Sequence, residues 1–350
     1  MDVADALRET TRRLLADHAP PAEVRRLMAN ADGFDRRLWF RLAAVGLPGL
    51  LVPEQYGGAG LGFGELAVVL EEVGRALLPA PLLATTLATA ALIEAGETAQ
   101  LPGIAAGTTL ATVAITGGHR NPDRLDVQAR DNDRLYGVAT HVLDGQVADL
   151  IVVAAHGPAL FLVDTKAPGL ARTPLPTLDQ TRRLSRVTFA NTPAQPIGAS
   201  LDHLRDLAAV ALAAEQVGGA ARCLEMAVEY AKVRTQFGRP IGTFQAIQHR
   251  CADVLVAVES ARSAAHHAAQ LAAGHSSELP AYAALAATTC AAAYTFAAGE
   301  NIQIHGGIGF TWEHDAHLYL KRAKSSEALF GSPARYRTRL AELVVGPLPS

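Results

Sequence analysis

The chain has 350 residues, enough for one large domain or two to three smaller ones around a substantial core. Hydrophobic residues make up 49% and aromatics only 5%, with Ala and Leu dominant, which favours close-packed helices over a large sheet. A formal charge of −3 gives no basic footprint for nucleic acid.

Cys223, Cys251 and Cys290 stand at no metal-ligand spacing and read as small buried hydrophobes of a reducing compartment. The opening Met1 to Ala6 lacks a basic region followed by an apolar run, and no uncharged stretch reads as long enough to span a bilayer. The expectation is a soluble cytoplasmic protein.

From Val3 to Leu78 apolar residues recur at spacings of three and four, as in Leu66, Val69, Leu70 and Val73, which predicts amphipathic helices. Between them Leu51 to Gly62 is rich in glycine and ends one helix before the next begins. After Gly107 the runs shorten to strand length at Thr109–Ile115, Arg134–Val142, Leu150–Ala155, Ala159–Val163 and Arg186–Phe189. From Leu201 onward long Ala-rich helices return over Leu201–Val233, Thr243–Ala273 and Pro280–His305, followed by a fourth containing Asp315–Lys324. The fold class read from this order is α+β and multidomain. It has an N-terminal helical domain at 1–108, a β-barrel-like middle domain at 109–198 and a C-terminal four-helix bundle at 199–350.

Two glycine clusters invite a cofactor reading. Gly57 to Gly62 could cradle phosphate, but no strand precedes it and no Gly-Lys-Ser/Thr ends it, so a structural turn is the better reading. Gly306 and Gly307 close a long helix, where left-handed C-cap glycines are common. Arg234 likewise ends a helix, and a guanidinium there can simply complement the helix dipole.

The segment Arg234-Thr-Gln-Phe-Gly-Arg-Pro-Ile-Gly-Thr243 with Phe244-Gln245, together with Gln303-Ile-His-Gly-Gly-Ile-Gly-Phe310, resembles the acyl-CoA dehydrogenases, flavoproteins that desaturate acyl thioesters. The resemblance extends over essentially the whole chain and implies FAD, an acyl-CoA substrate and electron-transferring flavoprotein as the acceptor. It also implies an oligomer in which chains share FAD sites. In similar proteins the arginine matching Arg234 forks onto the FAD diphosphate, and the glutamine matching Gln303 lies against the FAD of a neighbouring subunit. The cofactor set is therefore Arg234, Phe237, Gln245, Gln303, Gly306 and Gly307.

The departures from the family concentrate around the flavin ring. Ile115 to Asn121 and Thr140 to Gly145 replace the Thr-Glu-Pro-x-Ala-Gly-Ser and Trp-Ile-Thr segments that flank ring and thioester. Abstraction of the α-proton needs a carboxylate, yet Phe330 and Ala208 occupy the two usual glutamate positions, so no catalytic residue is assigned. Glu215 reads as a subunit-packing residue and Glu327 as a surface ion pair. His314 and His317 read as capping or solvated rather than metal-binding residues, and no metal site is expected. Two functions remain open. One is a base-less subunit working with a second, glutamate-bearing acyl-CoA dehydrogenase subunit, as in bacterial enzymes of mixed composition that include those acting on steroid side chains. The other is a self-associating flavoprotein with different chemistry or a scaffold role.

Overall fold

The computed structural model describes residues 2–117, 124–130, 132–157, 159–274 and 276–346. The N-terminal part consists of α1 (Val3–His18), α2 (Pro21–Met28), α3 (Arg36–Ala44), α4 (Phe63–Ala76), α5 (Leu82–Glu94) and α6 (Leu101–Ala105). The glycine-rich connection before α4 is a close-packed turn. A Cβ placed on Gly58 would stand 2.0 Å from the Val52 carbonyl oxygen, which accounts for the glycine without any ligand.

The middle part holds β1 (Ala111–Ala114), β2 (Val127–Arg130), β3 (Arg134–Leu143), β4 (Leu150–Ala155), β5 (Ala159–Asp164), β6 (Leu170–Leu175), β7 (Leu184–Pro193) and β8 (Gln195–Ile197). These form two four-stranded sheets, ordered β1-β4-β5-β8 and β2-β3-β7-β6, so the barrel-like region takes the form of two packed sheets. Ile151, Val153, Phe161 and Val163 of the first sheet meet Leu135, Ala139, Val187 and Phe189 of the second in a shared core. The opposite face of the first sheet, through Val113, Val152, Leu160 and Leu162, joins the helical core. Burial on both faces explains why β4 is apolar throughout rather than alternating. The sequence reading passed over β2, β6 and β8. β6 is a sheet-edge strand carrying Pro174 and little apolar surface, which removes the usual signal.

The C-terminal part contains α7 (Leu201–Val233), α8 (Gln245–Ala273), α9 (Leu279–His305), α10 (Ala316–Ser326) and α11 (Pro333–Val345). Ser200 caps α7 by accepting a bond from the His203 N–H at 3.2 Å. Every residue from Asp206 to Ala220 is buried, as expected of a helix that is apolar on all sides and surrounded by others. α4 and α7 touch backbone to backbone. An added Cβ would lie 1.8 Å from the Glu215 oxygen at Gly74 and 1.7 Å from the Glu71 oxygen at Gly218. Two helical segments, Leu201–Val233 and Leu279–Phe310, are long and apolar enough to cross a membrane, which corrects the reading that no such stretch exists. Of their most apolar windows, 83% and 56% are buried inside the fold, so they are helices of the bundle core.

Candidate functional site

The cofactor set gathers at the far end of the bundle. α7 stops at Arg234, whose carbonyl accepts the Ile241 N–H at 2.8 Å. A short antiparallel hairpin follows, pairing Thr235–Gln236 with Arg239–Pro240 around Phe237 and Gly238. Both turn residues have positive φ, +53° at Phe237 and +77° at Gly238, the pattern of a type I′ turn. For phenylalanine this backbone is unfavourable, and the strain displays a ring that is 93% exposed. Its edge meets the Phe244 ring at a centroid distance of 6.2 Å, next to the exposed Gln245 that begins α8.

The glycine segment reaches the same place. Tyr230 stacks on His305 at 4.3 Å, and Ala227, Ala231 and Ile304 form a small apolar cluster with Ile241 and Ile247. Gln303, Gly306 and Gly307 are exposed beside it, and no atom lies within 4 Å of where a Cβ on either glycine would stand. A guanidinium, carboxamides, an exposed ring and open glycine backbone suit the diphosphate and adenosine of FAD. All face solvent in the single chain. His305 is turned inward: its Nδ1 bonds the Asn301 carbonyl at 2.8 Å, its ring meets His314 at 4.2 Å, and burial lowers its pKa. The His314 Nδ1 accepts the Ala316 N–H at 3.1 Å, a capping role, and among the described residues no group of His, Cys, Asp and Glu could hold a metal ion.

The altered ring-flanking segments converge elsewhere. Thr116, Gly117 and His141 line one cavity of about 530 Å³ together with Leu329, Gly331 and Ser332, which follow or flank Phe330. His141 has a φ of +59° at an irregularity in the β3–β7 pairing. The rest of the first segment, Gly118 to Asn121, lies outside the described residues. Phe330 turns away from this cavity into the main hydrophobic core, and its carbonyl accepts the Tyr336 hydroxyl at 3.0 Å. Ala208 is fully buried on α7. Neither side chain can accept a proton.

A buried charge cluster, which the sequence reading missed, supports the cavity wall. Arg182 and Arg322 donate to the same Glu215 oxygen at 2.5 and 2.6 Å, Arg182 also reaches Ser326, and Arg322 pairs with Asp179 at 3.0 Å. Asp179 lines the 530 Å³ cavity. Glu215 is therefore not a subunit-packing residue, because its partners lie within its own chain. Burial alone would raise its pKa, but the two guanidiniums hold it below the usual carboxylate range. Glu327 does pair with Lys324 at 3.0 Å and also accepts from Thr295. No local signal marks the cluster in the sequence, because Glu215 stands 33 positions from Arg182 and 107 from Arg322 and only the fold brings them together.

Comparison with known proteins agrees with this architecture. Residues 2–108 match the family described as acyl-CoA dehydrogenase, N-terminal domain, and residues 202–344 match acyl-CoA dehydrogenase, C-terminal domain. The chain is 41% identical over 335 residues to acyl-CoA dehydrogenase IpdE2 of Mycobacterium tuberculosis, covering 95% of each. It superposes on a chain of the Tcur3481-Tcur3483 steroid ACAD G363A variant with a TM-score of 0.93 and 33% identity, covering 98% of this chain and 97% of that one. For the ChsE4-ChsE5 complex from Mycobacterium tuberculosis the TM-score is 0.92 at 30% identity, covering 99% of both chains. This chain belongs to the acyl-CoA dehydrogenase family of flavoprotein oxidoreductases.

Proposed function

We propose that this chain is an FAD-binding subunit of a heteromeric acyl-CoA dehydrogenase that forms the α,β double bond of an acyl-CoA thioester, with the proton-abstracting glutamate on a second subunit. The observation that carries this reading is Phe330, packed into the core where the sequence resemblance would put the family's base. FAD, when bound, supplies the hydride acceptor. Arg234 would hold its diphosphate, Phe237 and Gln245 its nucleotide, and Gln303, Gly306 and Gly307 the edge shared with a neighbouring chain. From Glu215, joined through Arg322 to the Asp179 wall of the 530 Å³ cavity, to Arg234, α7 rises roughly 28 Å at about 1.5 Å per residue. That separation, together with the solvent-facing cofactor set, supports a site completed across an interface. Similarity to a chain of a steroid ACAD supports a bulky acyl group, and electron-transferring flavoprotein is the proposed acceptor in a cytoplasmic setting.

Removal of the α-proton needs a carboxylate, and the two family positions in this chain offer only a benzyl and a methyl group. The contribution of this chain is then to bind and orient, while α10, α11 and Tyr336 keep the turn at Phe330 closed to water. Co-expression with a glutamate-bearing homologue, followed by native mass measurement and an acyl-CoA assay, tests the reading. Equal numbers of two chains, with activity only in the mixed complex, is the expected result. A yellow homo-oligomer that ignores such partners would favour the self-associating alternative.

A further inference from the structure

A second cavity, about 770 Å³, lies where the end of α5, the start of α7, the α8–α9 connection and α11 come together. Its walls are apolar through Phe63, Ala90, Ile93, Leu207, Leu279 and Leu343, and its size falls in the range of about 300–1,000 Å³ that suits small organic ligands. None of its lining residues belongs to the cofactor set or to the cavity at His141.

The charges around it are specific. Asp206 is buried, and both of its oxygens are taken by Arg339, one of them at 3.0 Å, so this guanidinium is already neutralised. Glu94 and Asp202 add two further carboxylates to the lining, while His203, Ser276 and Ser277 complete its polar part. Glu94 accepts the Ser200 N–H through one oxygen at 3.0 Å, and Asp202 pairs loosely with Arg205 at 3.7 Å. Glu94 is exposed and the Asp202 side chain is 82% exposed, so both carboxylates stand at the solvent edge of the cavity; an anion there would meet more carboxylate than free cation, whereas a hydroxyl could donate to Glu94 or exchange bonds with the serines.

We propose that this cavity binds a neutral, hydroxyl-bearing apolar ligand and discriminates against carboxylates and CoA esters. The site is independent of the thioester chemistry above and stands or falls separately from it.

Pyrenebutanol and pyrenebutyrate form a matched fluorescent pair that differs in the tested group. With the purified protein near neutral pH, the alcohol is expected to bind saturably and about tenfold more tightly than the acid. Glu94→Gln should narrow that ratio by improving binding of the acid. Ala273→Trp, at an exposed lining position, and Ile93→Trp should each weaken the alcohol by about tenfold or more, with helical circular dichroism unchanged in at least the exposed variant. No saturable alcohol binding, equal affinity for the two probes, or binding that survives a folded Ala273→Trp variant would overturn the proposal.

Discussion

The Tyr336 hydroxyl donates to the Phe330 carbonyl at 3.0 Å, and this bond fixes the turn between α10 and α11. Phe330 is only 5% exposed, and the void beside it measures about 10 Å³, which leaves no room for hydrating water. Phe330→Glu is expected to destabilise the protein by about 3 kcal/mol or more and to produce no dehydrogenation on its own. Denaturant unfolding and flavin bleaching with acyl-CoA would check both halves; a stable variant that bleaches flavin contradicts the packed arrangement.

Arg234→Lys retains the charge but loses the planar fork. The expected effect is at least a several-fold loss of flavin affinity in the assembled protein with the fold retained, because Arg234 itself is exposed and packs against little. The ratio of flavin to protein absorbance after dialysis is the measurement. An unchanged ratio would return Arg234 to the role of a helix cap.

Glu215→Gln leaves Arg182 and Arg322 facing a neutral amide in the interior. Removing one partner of a buried ion cluster costs about 3 to 5 kcal/mol, far more than an exposed pair contributes. A urea midpoint within error of the parent would mean that the two arginines find other acceptors.

Asp144 faces the same cluster across a void of about 20 Å³, and burial pushes its carboxyl up to about 7. A folded pKa above the unfolded value makes its contribution fully present below about pH 4 and lost as pH rises through about 7, by at most about 4 kcal/mol. Its backbone has a φ of +53°, a conformation asparagine tolerates well. Asp144→Asn should therefore leave the melting temperature at pH 4 nearly unchanged and raise it at pH 8, while Glu215 and His317 titrate alike in both proteins. A lower melting temperature at pH 8 would show that the ionised carboxylate is needed by Arg182 or Arg183.

Long helices were legible in the sequence because their apolar spacing persists over many turns, and the observed ends of α7 coincide with those expected at Leu201 and Val233. That Phe330 and Ala208 cannot accept a proton was legible because residue identity alone decides it. The inward turn of His305 was not, since its ring contacts with Tyr230 and His314 depend on how α7 and the residues after α9 meet. The cluster at Glu215 was hidden for a similar reason: each member looks like an ordinary surface charge until the fold removes water from all of them at once. α11 was passed over although Ser332 caps it and Pro333 opens it, because its exposed C-terminal Leu343, Val344 and Val345 blur the amphipathic pattern.

The uninterrupted run of α7 imposes a phase relation on the whole molecule. With the segment from Asp206 to Ala220 clamped by neighbours on every side, the helix cannot rotate to absorb a change in length. One residue inserted after Ala220 would swing the Phe237 hairpin by about 100° and advance it by about 1.5 Å, whereas seven would return it to nearly the same azimuth, two turns further out. The bundle thus acts as an indexing shaft: a residue count sets the azimuth at which the hairpin leaves α7, and the apolar contacts of Ile241 hold it there.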